Sequence, residues 1–247
     1  MRETTSSWLR RLLARWLMID LICLDADDTL WHNMRHFEAT EAALAQLLAP
    51  FAEHHVALER LAEVERRNLA LYGYGAKSFT LSMIETALEL CGDALTAGEV
   101  RAIIDAGRSL LAHPVELLDG IAETIAALRD IAPLVLVTKG DLLHQESKLA
   151  ASGLGEHFTG VEIVSEKEPG LFSRLFAKYG TTPERALMAG DSMRSDVLPA
   201  LAAGAWGVYV PHAIVWSHER APAPSDHPRF VQLNRLGDLP GWIAART

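Results

Sequence analysis

Four short segments carry residues whose types could do chemistry together: Asp25, Asp27 and Thr29 in LDADDTLW, Thr138 in VLVTKGD, Lys167 in SEKEP, and Asp191 with Asp196 in MAGDSMRSD. Clustered aspartates supply the oxygen ligands that a hard cation such as Mg²⁺ takes. A lysine is a compact charge that neutralises carboxylates and anions, and a threonine hydroxyl with the N–H groups of a following turn can bind an oxyanion. Taken singly, each residue also has a structural reading. Asp27, Asp28 and Asp191 would accept hydrogen bonds from turns or helix starts, Thr29 would cap, and Lys167 would be a solvated loop charge. Taken together, those readings leave several carboxylates converging without a counter-ion, which is costly.

The hydrophobic pattern predicts where these segments sit. Residues 18–24 form an apolar run broken only by Asp20 and ending at the acidic cluster, as a buried strand entering a loop does. From Phe37 onward, apolar residues keep helical spacing over 39–48, 56–71, 81–90, 100–111 and 121–128, which predicts five helices in a bundle with no strand between them. Strands are then expected at 134–137, 161–164, 186–189 and 206–210. They alternate with helices at 141–152, 171–178 and 195–203, and a short strand near 230–233 and a turn at 239–243 follow. The fold class is therefore α/β: a doubly wound parallel, Rossmann-like sheet with a small all-helical cap domain inserted after the first strand. The expected division is an extension at 1–17, the α/β core at 18–32 and 115–247, and the cap at 33–114. Ligands of such sheets bind at the carboxyl ends of the strands, where all four segments fall.

This ordered set resembles the haloacid dehalogenase superfamily, dominated by magnesium-dependent phosphatases, over residues 18 to about 210. The resemblance implies that Asp25 is the nucleophile that becomes an aspartyl phosphate and also contacts Mg²⁺. Asp27 would give its backbone carbonyl to the metal and serve as general acid and then base. Asp191 would be a direct metal ligand. Asp196 and Thr29 would be supporting groups, and Thr138, Lys139 and Lys167 would bind the phosphoryl group. Two carboxyls as close as Asp25 and Asp27 should push at least one pKa upward, which suits an acid. True dehalogenases lack an acid two residues after the nucleophile because halide leaves without a proton, so Asp27 favours phosphate ester hydrolysis. The alternatives are a phosphomutase, a 2-haloacid dehalogenase-type hydrolase and a non-catalytic binding protein of the same fold. Two departures from common family versions are Lys139, where a small or amide residue is frequent, and Glu168 before Pro169.

The remaining features set bounds. The chain has 247 residues, 49% hydrophobic and 22% charged, with a net charge of −9. These are globular values, and an acidic balance gives no general attraction to nucleic acid or anionic lipid. No long apolar run predicts a membrane span. Cys23 and Cys91 alone build no disulfide framework, which favours a reducing, cytoplasmic setting. Arg10, Arg11 and Arg15 interrupt the apolar residues near the amino terminus, so a short basic amphipathic helix outside the core is expected there rather than a signal peptide. His32 with His36, and His54 with His55, lack a third ligand at matching spacing and are read as surface or packing residues rather than zinc ligands. The GYGAK turn at 73–77 is expected either as a simple helix connection or as a loop bringing Lys77 to the outer part of a small phosphorylated metabolite.

Overall fold

The computed structural model describes residues 18–246; the expected amphipathic segment at 1–17 lies outside them. Six parallel strands form one sheet in the order β3-β2-β1-β4-β5-β6. They are β1 (Leu21–Leu24), β2 (Leu134–Lys139), β3 (Gly160–Val164), β4 (Ala186–Gly190), β5 (Trp206–Tyr209) and β6 (Phe230–Gln232). The chain leaves β1 towards β2 on one side and later returns to β4 on the other. The carboxyl end of β1 is thus the topological switch point at which such sheets open a crevice.

Alternation along the strands builds a core on each face. Ile22, Leu24, Leu134, Leu136 and Leu187 face one way and pack with Ile121, Ile125 and Leu128 of α5 (Ile121–Arg129) and Leu239 and Ile243 of α9 (Leu239–Ala244). Leu21, Cys23, Val135, Val137 and Met188 face the other way, against Phe172, Leu175 and Phe176 of α7 (Pro169–Lys178). A strand apolar at every position is what burial on both faces requires.

The cap consists of α1 (Met34–Leu47), α2 (His54–Tyr72), α3 (Ala76–Cys91) and α4 (Ala97–Ala112). Its own core includes Leu44, Leu48, Leu61, Phe79, Met83, Ile103 and Leu110. The bundle therefore has four helices, not five. The helix predicted at 121–128 is α5, whose apolar stripe packs on the sheet, because helical periodicity reports that a face is buried but not against what. Helix α1 also starts well before 39. Its first N–H groups find their acceptor upstream, in Asp28, which accepts from Asn33 N (2.9 Å) and Met34 N (2.9 Å). The helix predicted at 195–203 is instead a π-turn, Met193–Val197, followed by α8 (Leu198–Ala202).

Candidate active site

Strand β1 delivers Asp25 at its carboxyl end, where the Asp25 N–H donates to the Ala189 carbonyl of β4 at 2.9 Å. The next residues turn sharply. Asp28 takes φ of 59°, a left-handed conformation that Asp tolerates better than most residues, and its carboxylate caps α1. The structural reading of Asp28 is thus the one the geometry realises. Thr29 Oγ lies 3.0 Å from Asp25 Oδ2 and accepts from Asp191 N at 3.1 Å, tying the loop after β1 to the loop after β4.

Lys167, just before α7, reaches under these loops. Its ammonium is 2.5 Å from Asp25 Oδ1 and 2.6 Å from Asp196 Oδ1, with all three residues buried. Burial opposes its charge, but Asp196 and Asp25 more than offset that and hold it protonated above the ordinary lysine range. Asp25 is pushed up to about 7, by burial first; Lys167 works against this rise, and Asp196 and Asp27 add to it. Asp191 is raised well above its usual range by burial and then by Asp25, Asp196 and Asp28. Gly190 makes the cluster possible, since a Cβ there would overlap the Asp196 carboxylate and sit 2.9 Å from the Asp25 Cβ. Carboxylate oxygens of Asp25, Asp191 and Asp196 come within 4.8 Å of one another. Three acids against one lysine leave excess negative charge in a buried place, and an all-oxygen donor set of this kind fits a hard divalent cation.

The Asp27 side chain points elsewhere. Its Oδ1 accepts from Trp31 Nε1 (2.7 Å) and Lys148 Nζ (2.5 Å), and its Oδ2 from Gln145 Nε2 (3.0 Å). Burial favours the acid form of Asp27. Lys148, Gln145 and Trp31 outweigh it and hold the carboxyl below the usual range. The carboxyl that rises is therefore Asp25, while Asp27, the expected acid, is held towards its ionised form. Gln145 and Lys148 stand one turn apart on α6 (Leu142–Ser152), and sequence reasoning missed both. Their signal was an i, i+3 polar pair on a helix that otherwise needs a buried face, next to a strand-end Thr.

Thr138 lines the cavity with its hydroxyl accepting from Gln145 at 2.7 Å. The Lys139 side chain turns away from Asp25, bonding Glu219 Oε1 at 2.6 Å and Ser195 Oγ at 2.8 Å. Its backbone, with Gly140 at φ 128°, stays at the cavity wall. Glu219 and Trp216 come from the proline-rich segment between β5 and β6. The cap closes the cavity from above through the GYGAK turn. The residue that enters is Tyr74, its hydroxyl 2.5 Å from Glu166 Oε1 and its ring 3.8 Å from the Lys139 ammonium. Lys77 does not line the cavity; its half-exposed ammonium pairs at 2.8 Å with Asp141, which does. His36 stacks on His113, with ring centroids 3.9 Å apart, at the cap–core crossover. No described helix is long and apolar enough to cross a membrane.

Comparisons with known proteins fit this geometry. The haloacid dehalogenase-like hydrolase profile matches residues 19–204, a stretch holding Asp25, Asp27, Lys167, Asp191 and Asp196. A phosphoserine phosphatase of Thermus thermophilus is 31% identical over 251 residues, covering 89% of this chain and 96% of its own. A haloacid dehalogenase-like family hydrolase from Xanthomonas campestris shares 40% identity at a TM-score of 0.83, covering 92% of this chain and 91% of that one. The L-2-haloacid dehalogenase of Xanthobacter autotrophicus shares the fold, with a TM-score of 0.65 at 17% identity over 93% of this chain and 100% of that one. With a full-length relative and a profile that spans the whole constellation, the chain belongs to the haloacid dehalogenase-like hydrolases.

Proposed function

We propose that this hydrolase is a Mg²⁺-dependent phosphatase that cleaves a small phosphorylated metabolite through a phosphoryl group held transiently on Asp25. The observation carrying the reading is the placement of Asp27 two residues beyond Asp25, its carboxylate beside the same cavity and fixed by three donors. An alkoxide leaving group needs a proton and a halide does not, so this residue has work in ester hydrolysis and none in dehalogenation.

Asp25 and Asp191, with the backbone carbonyl of Asp27, are the groups that would hold Mg²⁺. Bound there, the ion would offset the repulsion between the Asp25 carboxylate and a phosphoryl dianion. Lys167 neutralises Asp25 and supplies positive charge at the transferring group, and Asp196 fixes that lysine. The N–H groups of Lys139 and Gly140, with the Thr138 hydroxyl, would bind phosphoryl oxygens. A phosphoryl dianion beside Asp27 raises its proton affinity, countering Lys148, so the acid form becomes available when the leaving oxygen requires it. After that transfer Asp27 is again a carboxylate, oriented to take a proton from the water that attacks phosphorus.

The test is hydrolysis of p-nitrophenyl phosphate and a panel of phosphate esters, with Mg²⁺ and after chelation. Mg²⁺-dependent release of free phosphate without an isomerised product supports the reading, and no hydrolysis across the panel contradicts it.

A further inference from the structure

The catalytic cavity continues from Asp25 into the cap, where Met34, Phe37, Glu41, Glu65, Leu69 and Phe79 line it. No lysine or arginine is on this cap wall among the described residues. The core-side lysines are each committed: Lys139 to Glu219, Lys148 to Asp27, and Lys167 to Asp25 and Asp196. A second anionic group on a substrate would therefore meet no spare cation here. The two cap acids stand on neighbouring helices, α1 and α2, and among the described residues the charges that raise them are those of other carboxylates: Glu38 on Glu41, and Glu41 on Glu65. Burial, followed by Glu41, pushes Glu65 up to about 8, the mark of a carboxyl without a counter-charge. Two aromatic rings share the wall, Phe37 and Phe79, in edge contact with centroids 5.1 Å apart. Aromatic rings and buried acids without a counter-charge favour the same kind of guest, a cation on a short apolar stem, whose arrival would draw the proton from Glu65 and leave a paired carboxylate.

We propose that the enzyme selects phosphate esters whose organic part carries a protonated amine and no second anion, the amine being received at the cap end of the cavity by Glu41 and Glu65. This rests on the phosphatase reading above. It also makes a counter-intuitive ranking: an amino alcohol phosphate should be a better substrate than the corresponding phosphorylated amino acid, whose added carboxylate faces these acids. Phosphorylated hydroxy acids should be worst.

The experiment compares kcat/KM of the intact protein for O-phosphoethanolamine, ethylene glycol monophosphate, O-phosphoserine and phosphoglycolate, with p-nitrophenyl phosphate as the control for phosphatase activity itself. The amine ester should exceed its neutral hydroxyl counterpart by about tenfold or more, the scale of one close charge pair. Phosphoserine should fall below phosphoethanolamine, and phosphoglycolate should come last. Glu65→Gln and Glu41→Gln, checked for folding by circular dichroism, should each collapse the amine-to-hydroxyl ratio towards one. If p-nitrophenyl phosphate is cleaved but phosphoglycolate matches or exceeds phosphoethanolamine, the inference falls and the phosphatase reading stands. The inference also falls if both variants keep the ratio. If the intact protein with Mg²⁺ cleaves none of the five esters, both fall.

Discussion

The Lys148 ammonium lies 2.5 Å from Oδ1 of Asp27 and 3.3 Å from Oδ1 of Asn33, the residue at which the chain enters the cap. One buried lysine on α6 thus touches both the proposed acid–base group and the start of α1.

Replacing it by Lys148→Met removes the strongest influence holding Asp27 ionised. The Asp27 pKa should then rise, so the limb of the pH–rate profile that reports it, basic for the acid step and acidic for the base step, should move to higher pH. Turnover of alkyl phosphates should drop by roughly 10²-fold or more, because proton transfer by a misplaced carboxyl is compromised, while p-nitrophenyl phosphate suffers less. Equal slowing of both esters with an unmoved pH–rate profile would deny Lys148 this role.

Gly190→Ala tests the close approach of the carboxylates. The added methyl overlaps the Asp196 carboxylate and crowds Asp25, so the cluster must spread. A loss of about 1–3 kcal/mol in stability is expected from overpacking. Activity should fall far more than the melting curve suggests, as Lys167 loses its two-carboxylate seat. Unchanged turnover in a destabilised protein would show the seat to be dispensable.

At the cap turn, Tyr74 and Lys77 should behave differently. Lys77→Ala removes an exposed ion pair with Asp141, worth about 0–1 kcal/mol, and should leave KM unchanged. Tyr74→Leu removes both the hydroxyl on Glu166 and the ring against Lys139, and should raise KM for esters that fill the cap end of the cavity. Steady-state kinetics on the two variants separates them; a KM effect at Lys77 alone would reverse the assignment.

The carboxyl of Glu65 has a pH signature in stability. Its pKa is raised to about 8 in the folded chain from the usual 4.5, so the folded state binds the extra proton between these values. Stability from this group is full below about pH 4.5 and is lost as pH rises through 8. Glu65→Gln should flatten that part of the curve of melting temperature against pH, and an identical slope in the variant would contradict the assignment.

Strand ends and their acidic loops were legible in the sequence because a parallel sheet demands apolar runs that stop abruptly. Asp25, Thr29, Lys167, Asp191 and Asp196, each written next to such a stop, do converge. The partners of Asp27 were not legible. Gln145 and Lys148 sit 118 and 121 residues away on a helix, where polar residues usually face water, and only the crossover after β2 turns that helix face onto the loop after β1. Periodicity likewise showed that α5 buries one face without saying that the face meets the sheet. The charge of Lys77 suggests a substrate contact, but Gly73 and Gly75, at φ 71° and 112°, flank Tyr74, and it is Tyr74 that lines the cavity.

In the proposed reaction Asp25 accepts the phosphoryl group and Asp27 manages the proton. Rapid mixing of Asp27→Asn with p-nitrophenyl phosphate and Mg²⁺, followed by acid quench and mass analysis of the peptide bearing Asp25, tests it most directly. Nitrophenolate is stable without a proton, so its release should survive as a burst near one equivalent. Steady turnover should be slowed about 10²- to 10⁴-fold because no base remains to activate water. The Asp25 peptide should carry one phosphoryl group after the burst. A slow linear release with no burst and no phosphoryl group on that peptide would contradict the account.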